Sequence, residues 1–145
     1  MNQADGATTT PNAGSVAFSI MHAAHLIEEK IESALDNVGL SMAKHSALSK
    51  LYEAGEPLTL SDLAAKLSCV RSNITQLVDR LESDGLVRRV ADPSDRRSIR
   101  AELTELGIEK HAAGAAEVGR IQSEVAEKLA TTDLSALESA LASIA

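Results

Sequence analysis

The sequence predicts a mainly α-helical chain that carries one small β-hairpin. Three observations carry this expectation. Residues 58–103 hold two short amphipathic helical patterns joined by a tight connection, then two short strands around an arginine-rich turn. Aliphatic stripes with spacings of three and four residues flank that segment on both sides. The chain is 44% apolar but only 1% aromatic, so its core must be aliphatic and alanine-rich, as in close-packed helices.

Residues 1–14 lack the basic and apolar regions of a signal peptide and read as a disordered tail. Residues 15–145 read as a single domain, in keeping with a length of 145 residues. A long first helix, residues 16–38, is marked by Ile20, Ala24, Ile27, Ile31, Leu35 and Val38 and stops near Gly39. A second helix over Met42–Ala54 turns Leu48, Leu51 and Tyr52 inward before Gly55 and Pro57 end it.

In the central segment Thr59 caps a helix whose stripe is Leu63, Ala64 and Leu67, with Asp62 completing a capping box. Ser68-Cys69-Val70 breaks the period and forms the turn. Ile74, Leu77, Val78 and Leu81 give the next helix one buried face, and Gly85 terminates it. Its opposite face carries Arg71, Ser72, Thr75, Gln76 and Arg80, side chains that hydrogen-bond base edges and phosphates. Leu86–Val90 and Ser98–Leu103 read as strands, joined by the Asp92–Arg97 loop with its Pro and Asp turn formers. Helix, turn, helix and basic hairpin in this order make a winged helix-turn-helix, one helix for the major groove and one wing beside it.

After the wing, Thr104 caps a long helix, residues 104–130, striped by Ile108, Val118, Ile121, Val125 and Leu129. Residues 133–145 form a last helix with Leu134, Leu137, Leu141 and Ile144. These seams over-supply apolar surface for one small winged module. The first helix and the last two are therefore read as dimerisation helices of a two-fold homodimer.

Charge separates the candidate functions. Residues 66–100 hold eight of the 14 basic side chains and five of the 21 acids, so this stretch carries +3 on a body that carries −10. A basic stripe on an acidic body fits nucleic acid better than it fits a helical protein-interaction module, the distant alternative. No apolar run is long enough to span a membrane, one cysteine makes no intrachain disulfide, and the chain is expected in the cytoplasm. No glycine-rich phosphate loop, H-E-x-x-H or G-x-S-x-G is present. Neither enzyme activity nor a cofactor is expected.

The joint order of LSDLAAKL, NITQLVDRLESDGLVRR, DPSDRR and LTELG resembles the MarR (multiple-antibiotic-resistance regulator) family of transcription factors. The resemblance implies a dimer built from the terminal helices and the long penultimate one, and repression by occupying a promoter. It also implies that Asp95-Arg96-Arg97 is the family's D-x-R element, in which Arg97 enters the minor groove, oriented by Asp95. A narrow minor groove concentrates negative potential and attracts arginine.

The expected DNA-contacting residues are Arg71, Ser72, Asn73, Thr75, Gln76, Arg80, Arg88, Asp95, Arg96 and Arg97. Gln76 is the preferred base reader, through an amide that pairs with adenine. Two roles stay open for Asn73, base contact or helix start. Two also stay open for Arg80, a phosphate contact or an ion pair with Asp79 or Asp84. Arg88 and Arg89 alternate faces of a strand, so at most one approaches DNA and the other is solvated. The partner is double-stranded DNA with a pseudo-palindromic operator, its half-sites roughly 34–36 Å apart.

Three switches compete. A small anionic or aromatic effector between body and lobe would meet His22, His25, Lys44 or His45, and the resemblance favours this one. A metal would use His22 and His25 with Glu28, Glu29 and His111, although exposed helix histidines are commoner and no metal site is expected. A redox switch would use Cys69, whose ordinary role is that of a small packing residue in the turn.

Overall fold

A computed structural model describes residues 12–68 and 71–145. Its elements are α1 (Ala13–Asp36), α2 (Met42–Ala54), β1 (Leu58–Thr59), α3 (Leu60–Leu67), α4 (Arg71–Ser83), β2 (Val87–Ala91), β3 (Ile99–Leu103), α5 (Glu105–Lys128) and α6 (Leu134–Ala142). The mainly helical architecture and the wing hairpin follow the sequence reading.

Local chemistry explains most boundaries. The Thr59, Thr104 and Asp133 side chains cap α3, α5 and α6 by accepting from the N–H of Asp62, Gly107 and Ala136. Gly39, Gly55 and Gly85 all sit at positive φ where helices α1, α2 and α4 give way to turns. Ser68, at φ 52°, takes the same left-handed conformation to end α3. Cys69 and Val70, the rest of the expected turn, lie outside the described residues.

Three details differ from the sequence reading. Helix α1 begins at Ala13, inside the stretch read as tail, because Asn12 caps it by accepting from the Gly14 N–H. It stops at Asp36 rather than Val38, where the Val38 and Gly39 N–H groups turn back onto Leu35 and Asp36 carbonyls. The sheet has a third strand: the two residues of β1 pair antiparallel with β3, giving the order β1-β3-β2. A two-residue strand has no periodicity to detect.

The core lies where α2, α3 and α4 meet the sheet. Leu35, Leu48, Leu63, Ile74, Val78, Leu81 and Val87 are fully buried there. Of the inward face expected of α4, Ile74, Val78 and Leu81 are buried and Leu77 is half-buried against the core. Tyr52, expected inward, is instead 54% exposed. It lies on His111 of α5 with ring centroids 4.4 Å apart, and His111 in turn stacks on His45 at 5.8 Å. This three-ring stack joins α2 to α5.

The stack is possible because Gly114 has no side chain. A Cβ there would stand 2.6 Å from His45 Nδ1. That nitrogen is sealed from solvent without a hydrogen-bond partner. Burial first, and the charge of His111 second, hold the His45 pKa below its ordinary value. As pH falls through the ordinary imidazole range, the unfolded chain therefore takes up a proton that folded His45 resists, and folding stability decreases. Thermal unfolding at pH 7.5 and at about pH 5.5 is expected to show a lower Tm under the acidic condition, with a smaller drop in His45→Gln. An equal drop in the variant would assign the acid sensitivity elsewhere.

The flanking helices bury little within the chain. Only Ala34 and Leu35 of α1 are buried, and α6 buries none of its residues. Val16, Phe18, Met21, Leu26, Leu134, Leu141 and Ile144 are exposed.

Candidate nucleic-acid interface

Helix α4 presents Asn73, Thr75, Gln76 and Arg80 to solvent, while Ile74, Val78 and Leu81 face the core. Arg71 and Ser72 occupy the first turn of this helix. The helix begins at Arg71, so Asn73 stands inside its first turn rather than at its cap. Both carboxylates offered to Arg80 are engaged elsewhere: Asp79 binds Arg89 and Asp84 binds Lys44.

The wing tip is a built turn. The Asp92 carboxylate accepts from the Ser94 N–H at 3.0 Å and its hydroxyl at 2.8 Å, and faces Arg100 Nε at 3.1 Å. These contacts, the Ser94 bonds foremost, hold the Asp92 pKa below the usual carboxylate value. Arg100 also donates to the Pro57 carbonyl, so it ties β3 to the segment before β1. Asp95 accepts from the Arg97 N–H at 2.9 Å. The aspartate thus shapes the backbone that presents Arg97; the recorded bond is to its main chain rather than its guanidinium. Arg96 and Arg97 are both exposed.

Recognition helix and wing meet in one cleft. Thr75 of α4, Arg89 of β2, and Asp95, Arg97, Ser98 and Ile99 of the wing line a space of about 390 Å³. The two elements expected to read DNA are therefore neighbours, with Thr75 of the helix and Arg97 of the wing lining one space.

The two strand arginines lie on opposite faces, as expected, and each is ion-paired. Arg88 pairs across the sheet with Glu102, at 2.5 Å. Cross-strand partners share a sheet face, so Arg88 lies on the face away from α4. Arg89, on the α4 side, is the less exposed of the two, at 23%. It is held by Asp79 and Glu82, and both carboxylates raise its pKa. Spacing alone could not assign these partners, which come from different elements.

The candidate effector residues are not brought together as one site. His22 and His25 stand exposed on α1, His25 beside Glu29. Lys44 is bound to Asp84, and His45 is packed into the ring stack. Among the described residues no group of three or more His, Cys, Asp or Glu is placed to hold a metal ion. A separate cleft of about 280 Å³ beside Tyr52 is lined by Leu51, Pro57, Leu103 and Ile108, with Glu56 and Glu102. Among the described residues no helix is long and apolar enough to cross a membrane.

Comparison with known proteins agrees with this geometry. The family model described as "MarR family" matches residues 40–99. The uncharacterised HTH-type transcriptional regulator YsmB of Bacillus subtilis is 35% identical over 96 residues, covering 66% of this chain and 65% of that protein. The regulator MhqR of the same organism is 33% identical, covering 57% of this chain and 56% of its own. The chain thus spans from about two fifths to about three quarters of the length of the curated relatives it matches.

Among solved structures, the transcriptional repressor CouR bound to a 23-mer DNA duplex superposes with a TM-score of 0.78 at 28% identity, covering 99% of both chains. CouR of Rhodococcus jostii bound to p-coumaroyl-CoA gives 0.74 at 29%, covering 89% of this chain and 90% of that one. By the matched segment, the relatives and the shared fold together, the chain is similar to the MarR family, with residues 40–99 carrying the family match.

Proposed function

We propose that this chain is a homodimeric, sequence-specific DNA-binding transcriptional regulator that represses by occupying a pseudo-palindromic operator. The observation that carries the reading is the shared cleft of Thr75 and Arg97, which sets a polar helix face beside an arginine-tipped wing. CouR, similar over its whole length, is described as a repressor bound to a DNA duplex. The exposed apolar side chains of α1 and α6 supply a second-copy interface. Such an interface spaces two recognition helices about one helical turn apart.

In this reading Gln76 and Thr75 read bases, Arg71, Ser72, Asn73, Arg80 and Arg96 lie over phosphates or adjacent edges, and Arg97 enters the minor groove. Arg88 and Asp95 act differently: Arg88 stays with Glu102, and Asp95 forms the wing turn.

Substitutions test the division of labour on an operator selected from a random duplex pool. Arg97→Ala is expected to weaken binding by about 1–3 kcal/mol while the dimer persists. Gln76→Ala is expected to relax preference at one base pair per half-site. Arg96→Ala is expected to lower affinity evenly across sequences and flatten the salt slope by about one. Uniform loss in all three variants would remove α4 from the major groove. A chain that binds random and selected duplexes alike would overturn the proposal as a whole.

Release by a small molecule is part of the same proposal. CouR has been solved with p-coumaroyl-CoA. Here the cleft beside Tyr52 touches α2, β3 and α5, so a ligand wedged there would shift the lobe against the helical body. Displacing two recognition helices by a few ångströms breaks their register with successive grooves.

A further inference from the structure

We propose that Arg89 is a positioning residue that locks the wing and the recognition helix into one reading unit by clamping Asp79 and Glu82. The proposal rests on the DNA-reading function inferred above and adds the element that sets its geometry.

The two carboxylates stand three residues apart on α4, one face of the helix that also carries Thr75 and Gln76. Arg89 reaches both. One terminal nitrogen lies 2.5 Å from Asp79 Oδ1 and the other 2.9 Å from Glu82 Oε1. The second Glu82 oxygen accepts from the Arg89 main-chain N–H at 3.0 Å. Glu82 therefore grips both the backbone and the side chain of the same strand residue. A lysine could not reproduce this, because the planar guanidinium offers diverging donors and an ammonium offers a point charge.

The location gives the clamp its effect. Helix α4 and strand β2 are otherwise joined at the root by the short Asp84–Leu86 connection, with Gly85 at positive φ. The β3 side of the hairpin is tied to the body by its pairing with β1 and by Arg100, whereas the β2 side follows α4 through this root. Arg89 fixes that side two residues farther along, roughly 6–7 Å up the strand. The same side chain lines the cleft between Thr75 and Arg97. The ion-pair cluster thereby fixes the β2 side of the wing to the helix that carries the base reader.

Charge adds a second consequence. Asp79 and Glu82 remain partly exposed, at 60% and 43%. Without Arg89 they would face a polyanion as two bare negatives. Electrostatics alone thus predicts that removing the two acids strengthens DNA binding, whereas a clamp predicts that it unfastens the wing.

The experiment compares unmodified protein, Arg89→Ala and the double variant Asp79→Asn/Glu82→Gln on the selected operator, by footprinting in each groove. With the clamp, both variants lose minor-groove protection at the wing and keep major-groove protection by α4 at higher protein concentration. In the Arg89→Ala background, adding Arg97→Ala then changes affinity by less than about twofold, against about 5–150-fold in the unmodified protein. Thermal unfolding establishes that each variant is folded, and the acid double variant serves if Arg89→Ala is not.

Intact wing protection in both variants, additive effects of Arg89→Ala and Arg97→Ala, or tighter binding by the acid double variant would overturn the clamp. Absence of wing protection in the unmodified protein would instead overturn the wing's part in the proposed function.

Discussion

Replacing Leu137 and Leu141 together with Asp is expected to dissociate the protein and abolish operator binding, although the recognition helix is untouched. Within one chain α6 buries no side chain, and Leu141 and Ile144 stay 40% and 69% exposed. If the monomer were the working form, two aspartates on this surface would be solvated and nearly neutral for folding. If a second copy covers them, each carboxylate is taken out of water without a partner. A loss of about 3 kcal/mol, or 100-fold in dimerisation, is a conservative expectation. Specific DNA binding falls further, because a single half-site contributes only part of the contact energy. Sedimentation with and without operator measures both. A monomeric unmodified protein, or a double variant with full affinity for a two-half-site operator, would sink the dimeric mechanism.

A second large effect is expected from one methyl group. Gly107 opens the first turn of α5 directly against the Leu86 carbonyl oxygen, and an added Cβ would lie well inside contact distance of that backbone atom. The neighbourhood cannot yield easily. Leu86 O already accepts from the Thr104 N–H, and the Thr104 hydroxyl donates to the Gly85 carbonyl. Helix propensity favours alanine over glycine by about 1 kcal/mol. The backbone clash outweighs it, so Gly107→Ala should lose about 3 kcal/mol net. Gly119, in the same helix, has nothing within 4 Å of an added Cβ. Gly119→Ala should therefore stabilise by about 0.5–1 kcal/mol. Chemical denaturation of the two variants reads the difference, and equal shifts would reject the steric account.

These cases show what one-dimensional pattern could and could not convey. The helix faces were legible because burial repeats with the helical period: Ile74, Val78 and Leu81 face inward as spaced. The caps at Thr59 and Thr104 were legible because a capping side chain acts within three residues of itself. The partners of Arg89 were illegible because they stand seven and ten residues away on another element, a distance at which sequence spacing carries no direction. Tyr52 was misplaced for a related reason. Its large apolar ring suggested the core, but its neighbour is His111, brought to it only by the packing of α2 on α5. The partners of the candidate effector residues were likewise illegible, since polarity along the chain does not show that the fold sets Lys44 beside Asp84, His25 beside Glu29 and His45 in a ring stack.

The ring stack also gives the molecule a built-in optical reporter. The chain contains no tryptophan and one tyrosine, so its intrinsic emission arises from Tyr52 alone. That phenol rests against an imidazole at the joint between the lobe and the helical body. Any event that prises the joint apart, whether a ligand in the adjoining cleft, acid, or the docking of a duplex, alters the surroundings of the single fluorophore. The fold thus carries an unlabelled gauge at the point where its two halves meet.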